Sequence, residues 1–503
     1  MVDKDNDART RWWPWIVVAL VAIMGGWLLA WLLVLPMAGS NPDAQVNAVQ
    51  ATFTIAFGLG GLVGLALIAR RQWHQERAHR LQERIHEHDR FDARERRITE
   101  QYIKAIEQLG HEKTPVRLGG LYALDRLGRD HPEHRQAIAE VWCAYLRRRY
   151  LPPSDLVDAT VGEVSPRDIG VQEPSTSDQD AYDEAEVRMT AQRLLASHLK
   201  DPRPHDQRDG GLPAECRQYW RLDRLDLNGA TLINADFSGC TLPPVDAYRA
   251  LFINRTSFEF THFTSDARFD DARFRGEAWF SITRFAGDAR FDRAHFADIA
   301  WFPEAQFADF TRFAEARFDD DAAFFDARFE VNVDFDKAHF EGEALFMRAV
   351  FVRNGGFEST CFADGATFSS ARFEGLAAFG ASKFGSSAQF DQAHFARNAR
   401  FTQAGFADSA WFKNAHFGDD AWFLGARFDG RAEFIGIELE PGVNAEMDGA
   451  VTSRIKFESP GPGSSHKWPP GWVHRDAEDG TWPLTWVQNS AMQESPSGGF
   501  RRA

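Results

Sequence analysis

The chain has 503 residues, enough for two to four domains, and it holds 43 Phe against only 7 Tyr. A formal charge of −16 excludes a general nucleic-acid binder, and 44% hydrophobic with 26% charged residues excludes full disorder. Four cysteines, Cys143, Cys216, Cys240 and Cys361, lie without CxxC spacing, which argues against a zinc ribbon or a disulfide scaffold.

Residues 1–15 read as a cytoplasmic N-terminus. Ile16 to Leu35 carries no charge and predicts a transmembrane helix over 16–35. Val46 to Ala69 predicts a second span over 46–69, with an extracytoplasmic loop, 36–45, that lacks Lys and Arg. Arg9 and Arg11 precede the first run, and Arg70, Arg71, Arg77 and Arg80 follow the second. Positive charge on the outer sides of the hairpin places both termini in the cytoplasm of a multi-pass cell-membrane protein. Gly60 and Gly64 form a GxxxG pair, which suits packing against the first span or homodimerisation.

From Arg70 to Leu109 the sequence is charged and free of Gly and Pro, the pattern of one long helix. Val116 to Gly128 and Pro132 to Arg148 predict two more helices, with leucines at helical spacing in the first and Ile138, Val141, Trp142 and Leu146 on one face of the second. Together 70–150 forms a short, HEAT-like helical module with 18 basic against 13 acidic residues, a balance suited to an anionic membrane surface. Its segments AIEQLG, VRLGGLYALDRLG and AEVWCAYLR resemble a module that often precedes the repeats of membrane-anchored bacterial pentapeptide-repeat proteins. Residues 151–214 read as a linker with one short helix near 181–199.

Leu227, Leu232, Phe237 and Leu242 are spaced by five. From Phe252 the steps alternate six and five: Phe252, Phe258, Phe263, Phe269, Phe274, Phe280, Phe285, Phe291, onward through Phe346 to Phe428 and Phe434. All 34 positions set by this period of 11 are Phe, and the residue two before is Ala in 26 of them. Ala-x-Phe is a period of two, so both side chains share one face of an extended segment. Repeated short extended segments separated by turns make a β-solenoid. Eleven residues are too few for a closed coil around Phe, so the coil spans 22 residues and four sides. ATLIN and ADFSG resemble the pentapeptide repeat, which implies a right-handed quadrilateral β-helix over 215–440 with the small residue and the Phe both inside.

Residues just before each Phe point outward, and positions 22 apart stack. This stacks Arg268, Arg290 and Arg312 on one side, Arg273, His295, Arg317 and His339 on another, and Trp279 and Trp301 on a third. The first and third are candidate contact columns, and Asp270, Asp292 and Asp319 are placed to pair with the Arg columns. A Trp-, Pro- and Gly-rich tail, 441–503, follows as a cap or a partner site. No nucleophile elbow, phosphate loop or HExxH motif occurs. The sequence therefore reads as a membrane-anchored, non-catalytic scaffold for an unidentified protein partner, without cofactor, metal or nucleic acid. The resemblance carries one alternative, an acidic rod that imitates duplex DNA and binds DNA gyrase.

Overall fold

The computed structural model describes residues 42–153, 176–203, 216–434 and 436–440, short backbone stretches at 445–446, 451–456, 472–474 and 484–486, and scattered positions between 17 and 32. Two compact units divide the chain, Met1–Thr99 and Glu100–Ala503. The first helix, α1, runs unbroken over Pro42–Leu109. It begins earlier than the charge pattern alone requires, because the uncharged run 46–69 is also free of Pro. Among the described residues no helix is long and apolar enough to cross a membrane. The expected span 16–35 lies largely outside the described residues, as do most side chains of 46–69, including Gly60 and Gly64. The transmembrane hairpin thus rests on the sequence.

In the second unit, α2 (Thr114–Asp130), a 3-10 turn (Pro132–His134) and α3 (Arg135–Leu146) form the helical module. Leu121, Leu124, Ile138, Trp142 and Leu146 are fully buried between them. A Cβ at Gly120 would lie 2.7 Å from the Ala105 carbonyl, so glycine is required where α2 crosses the end of α1. A further helix, α4 (Thr176–Leu199), packs on α2 and α3. The sequence places a short helix in a linker here. The structure instead seats α4 on the first coil of the solenoid, because Ala185 shares a buried cluster with Ile233 and Ile253.

The solenoid follows. Strands of two or three residues pair in parallel with strands one coil later: Ala289 with Thr311, Phe296 with Phe318, Ala300 with Ala322, Phe307 with Phe329. Each of these partners is 22 residues on, and four such ladders make a four-sided coil. The ladders form sheets of 11, 19 and 10 strands, the largest spanning two sides. Ten spacings in the 11-stranded sheet, at about 4.8 Å each, give a rod about 48 Å long. The coil length is not uniform. Leu225 pairs with Val245, 20 residues on, whereas Val245 pairs with Ala267, 22 on. The first coil thus keeps strict five-residue steps, and later coils carry two extra residues. Strand pairing continues past 440, where Ala421 meets Ala445 and Arg427 meets Val451.

All 34 ladder Phe are buried, none more than 6% exposed. Each column stacks ring on ring: Phe269 to Phe291 at 5.0 Å and 6°, Phe274 to Phe296 at 4.7 Å and 2°, Phe280 to Phe302 at 4.6 Å and 3°. Across the axis the rings meet edge to face, as Phe302 meets Phe313 at 5.6 Å and 88°. Both geometries are favourable for aromatic quadrupoles. Small hydroxyls enter this core only where a carbonyl receives them. Thr261 Oγ1 donates to the Phe237 carbonyl at 2.7 Å and Thr360 Oγ1 to that of Phe335 at 2.8 Å. Thr256, whose buried hydroxyl has no partner, is the departure from that rule.

The two kinds of corner differ. At five-residue corners a β-turn closes by Ala272 N–H donating to Phe269 C=O at 3.0 Å, with Asp271 left-handed at φ 55. This recurs every 11 residues, mostly without glycine: Ile282, Arg293 and Glu304 follow at φ 56, 55 and 56. At six-residue corners the extra residue brings a side-chain cap. Asp321 Oδ1 accepts from Glu343 N–H at 2.9 Å, and Asn354 Oδ1 from Leu376 N–H at 3.1 Å, each 22 residues on.

Candidate functional site

The middle residue of each Ala-x-Phe strand faces outward, so the four ladders print four different surfaces. On side one, Arg268, Arg290 and Arg312 stack in register. The rod's own carboxylates hold them. Arg268 Nε donates to Asp270 Oδ2 at 2.8 Å, Arg290 Nη2 lies 3.2 Å from the same atom, and Arg312 Nε lies 3.2 Å from Asp292 Oδ2. Asp270 and Asp292 are buried, at 2% and 6% exposure. Burial pushes the Asp292 carboxyl above its ordinary range, with Arg312 pulling the other way. The Arg268 guanidinium also lies 4.5 Å from the Tyr248 ring.

Side two carries Arg273, His295, Arg317 and His339 in register. His295 Nε2 and Arg317 Nε clamp the Asp319 carboxylate at 2.6 and 2.5 Å. Burial works against that carboxylate, but the hydrogen bonds from Arg317 and His295 hold it below the usual range. Side four carries Arg284, Arg328 and Arg372 and ends in two histidines. His394 and His416 stack at 4.7 Å and 13°, and Glu438 and Glu440 lie 3.6 and 3.7 Å from His416. Burial, and then the neighbouring His416, keep His394 below the ordinary histidine range.

Side three is different. Trp279 and Trp301 pair in register at 5.8 Å between ring centroids, and from Ser257 to Trp411 this outward column has no Asp, Glu, Lys or Arg. The two expected columns, Arg and Trp, therefore occupy separate sides of the rod.

The N-terminal end of the solenoid holds residues that sequence reasoning missed. Gln192 of α4 pairs like a strand with the backbone of Ile233. Its Nε2 donates to the carbonyl at 2.8 Å, and its Oε1 accepts from the N–H at 2.9 Å. Arg188, fully buried, donates to the carbonyls of Leu146 at 3.0 Å and Arg148 at 2.6 Å. His198 stacks on Trp220 at 3.8 Å while its Nε2 lies 2.5 Å from Asp125 Oδ1. Nothing in the local pattern of α4 marks these residues, since their partners are up to 73 positions away. A groove of about 530 Å³ runs between α4 and the first coil, with Met189 and Ile233 among its lining residues and Arg193 and Asp236 at its walls. The described cysteines are free thiols.

A family model of pentapeptide repeats, in nine copies, matches residues 247–295, 261–306 and 390–437. These stretches are pentapeptide repeats. They fall on the four-sided coils, and the pentapeptide-repeat rod is a β-solenoid. No curated protein matches the chain. Each repeat contributes one side of a coil, so the small residue and the Phe fill the inside and the remaining positions form the surface. That division leaves the outward columns free to vary without touching the core.

Proposed function

We propose that this protein is a membrane-anchored, non-catalytic scaffold that presents its rigid β-helix to a protein partner in the cytoplasm. A pentapeptide-repeat β-helix fits a protein-interaction role, and its outer columns are the candidate contact surface. One observation carries the reading: four outward columns, three bearing Arg and one uncharged from Ser257 to Trp411, stand on a core of 34 stacked Phe, so contact groups sit at fixed spacing of about 4.8 Å on a support that loses little freedom on binding. The anchor is supported by the uncharged runs 16–35 and 46–69 and by their flanking arginines. Leu65 and Ile68, within the second run, are exposed on α1.

The rod from 221 to 440 sums to −12, the charge that a DNA mimic directed at gyrase would use. The Arg268, Arg290 and Arg312 column interrupts any continuous acidic face, which favours the scaffold. Affinity capture with the full chain, solubilised from membranes after mild crosslinking, tests the two together. A specific, non-gyrase protein retained at physiological salt is the expected result. Recovery of gyrase with inhibited supercoiling would support mimicry, and recovery of no partner would overturn the scaffold.

A further inference from the structure

We propose that side three of the rod, over the coils from Trp279 to Leu345, is a docking lane for a partner helix that carries an apolar stripe edged by Lys and Arg. This rests on the scaffold reading and assigns its contact side. Over the same coils side one presents Arg290 and Arg312, side two His295 and Arg317, and side four Arg284 and Arg328, whereas the outward column of side three reads Trp279, Trp301, Ala323, Leu345. Phe325 and Met347 widen this strip at the position after the ladder Phe, and Phe325 meets Trp301 edge to face at 5.6 Å. Trp279, Trp301, Phe325 and Leu345 are all half-buried, and Arg255 covers one face of the Trp279 ring. Ala323 itself is fully buried, and the half-buried side chains around it form a partly exposed apolar strip, a surface feature that marks an interaction site.

The edges choose the occupant. Glu277, Asp321 and Glu343 line one corner of the lane and Glu304 and Asp326 the other. Glu304 and Glu343 face no cation among the described residues. Of the cations nearby, Arg348 pairs with Asp326 and Arg255 lies 4.7 Å from the centroid of the Trp279 ring, while Arg275 stands exposed at the Trp279 end of the first corner. Acidic edges repel an acidic ligand and attract a basic one, and the Trp279 ring already accepts a guanidinium. The strip from Trp279 to Leu345 covers three coil spacings, about 14 Å, the length of about ten helical residues. An amphipathic helix laid along it places Leu-type side chains on the rings and Lys or Arg against both edges.

The test uses the full chain in detergent micelles and a 14-residue probe peptide. The probe has Leu at i, i+3, i+4 and i+7, Lys elsewhere, and one benzophenone for photocrosslinking. Mass mapping is expected to place crosslinks on side three, at Trp279, Trp301, Phe325 or Leu345. Yield should fall at least tenfold for Trp279→Ser/Trp301→Ser and for Glu304→Lys/Glu343→Lys, and stay unchanged for Trp422→Ser on side one. A probe with Glu in place of Lys should crosslink at least tenfold less. Both double variants change outward residues, so an unaltered thermal melt shows that the fold is intact. Crosslinks spread over other sides, equal yield from the Trp variant, or equal yield from the Glu probe would overturn the proposal. A change in sedimentation of Trp279→Ser/Trp301→Ser would overturn it in favour of a second copy as occupant. A protein partner bound equally by wild type and by that variant would sink the lane while leaving the scaffold standing. Absence of any protein partner would sink the scaffold itself.

Discussion

Thr256 and Thr360 both lie buried beside the Phe ladder and differ by one hydrogen bond. Thr360 Oγ1 donates to the Phe335 carbonyl, while the fully buried Thr256 Oγ1 has no partner. Thr360→Val should therefore destabilise the rod by about 1 kcal/mol, and Thr256→Val should stabilise it by about the same, as read by chemical denaturation. Phe346 stacks at 4.9 and 4.8 Å on Phe324 and Phe368. Phe346→Ala should cost about 3–5 kcal/mol, and Phe346→Asp should abolish cooperative unfolding, because a carboxylate there has neither water nor a partner. The inward Ala and Phe were legible in the sequence, since period two within strands and period 11 between them leave no other arrangement that hides every ring. The left-handed corners were not. Ile282, at φ 56, is β-branched where local preference calls for Gly or Asn, so closure of the coil overrides the residue's own preference. Ile282→Asn should raise stability by about 1 kcal/mol, measured by the same denaturation.

At the scale of elements, the ends of the solenoid carry the exposed edges. The first coil is covered by α4, and Gln192 supplies the donor and acceptor that a further strand would supply. Gln192→Ala leaves a buried N–H and a buried C=O without partners, at a cost of about 2–4 kcal/mol. Hydrogen exchange should then accelerate at Ile233 and its neighbours while the central coils keep their protection. Uniform acceleration along the rod would contradict the cap. The sequence revealed a helix near 181–199 but not its role, because a cap is defined by contacts distant in sequence and leaves no periodic mark. The long α1 was legible in its charged half from the absence of Gly and Pro. The helix over 46–69 was legible from its uncharged run, and only the first turn, back to Pro42, was not, because it falls in the stretch 36–45 that reads as a loop.

For the whole molecule, each coil touches only its neighbours, so stability is a sum of coil and interface terms and damage stays local. This bears on pH. His262 and His394 are both held below the ordinary histidine range, by burial first. A base with lowered proton affinity in the fold contributes stability above about pH 6.5, the unfolded value, and that contribution is lost as pH falls below it. Thermal midpoints should therefore drop between about pH 7 and pH 5.5, and His262→Gln/His394→Gln should flatten the drop. The surface chemistry was only partly legible. The stacking of Arg268, Arg290 and Arg312 is set by the period, and their pairing with Asp270 and Asp292 was legible as well, but the burial of those two carboxylates depends on corner geometry that the period does not contain. Every statement about sides, columns and docking depends on the 22-residue coil. Oxidative crosslinking of paired cysteines measures that register directly, since only residues on adjacent coils come within disulfide reach. Arg290→Cys/Arg312→Cys, in a chain whose native cysteines are replaced by alanine, should form an intramolecular disulfide, and Arg290→Cys/Trp301→Cys should not. The reverse result would contradict the four-sided coil and the surfaces built on it.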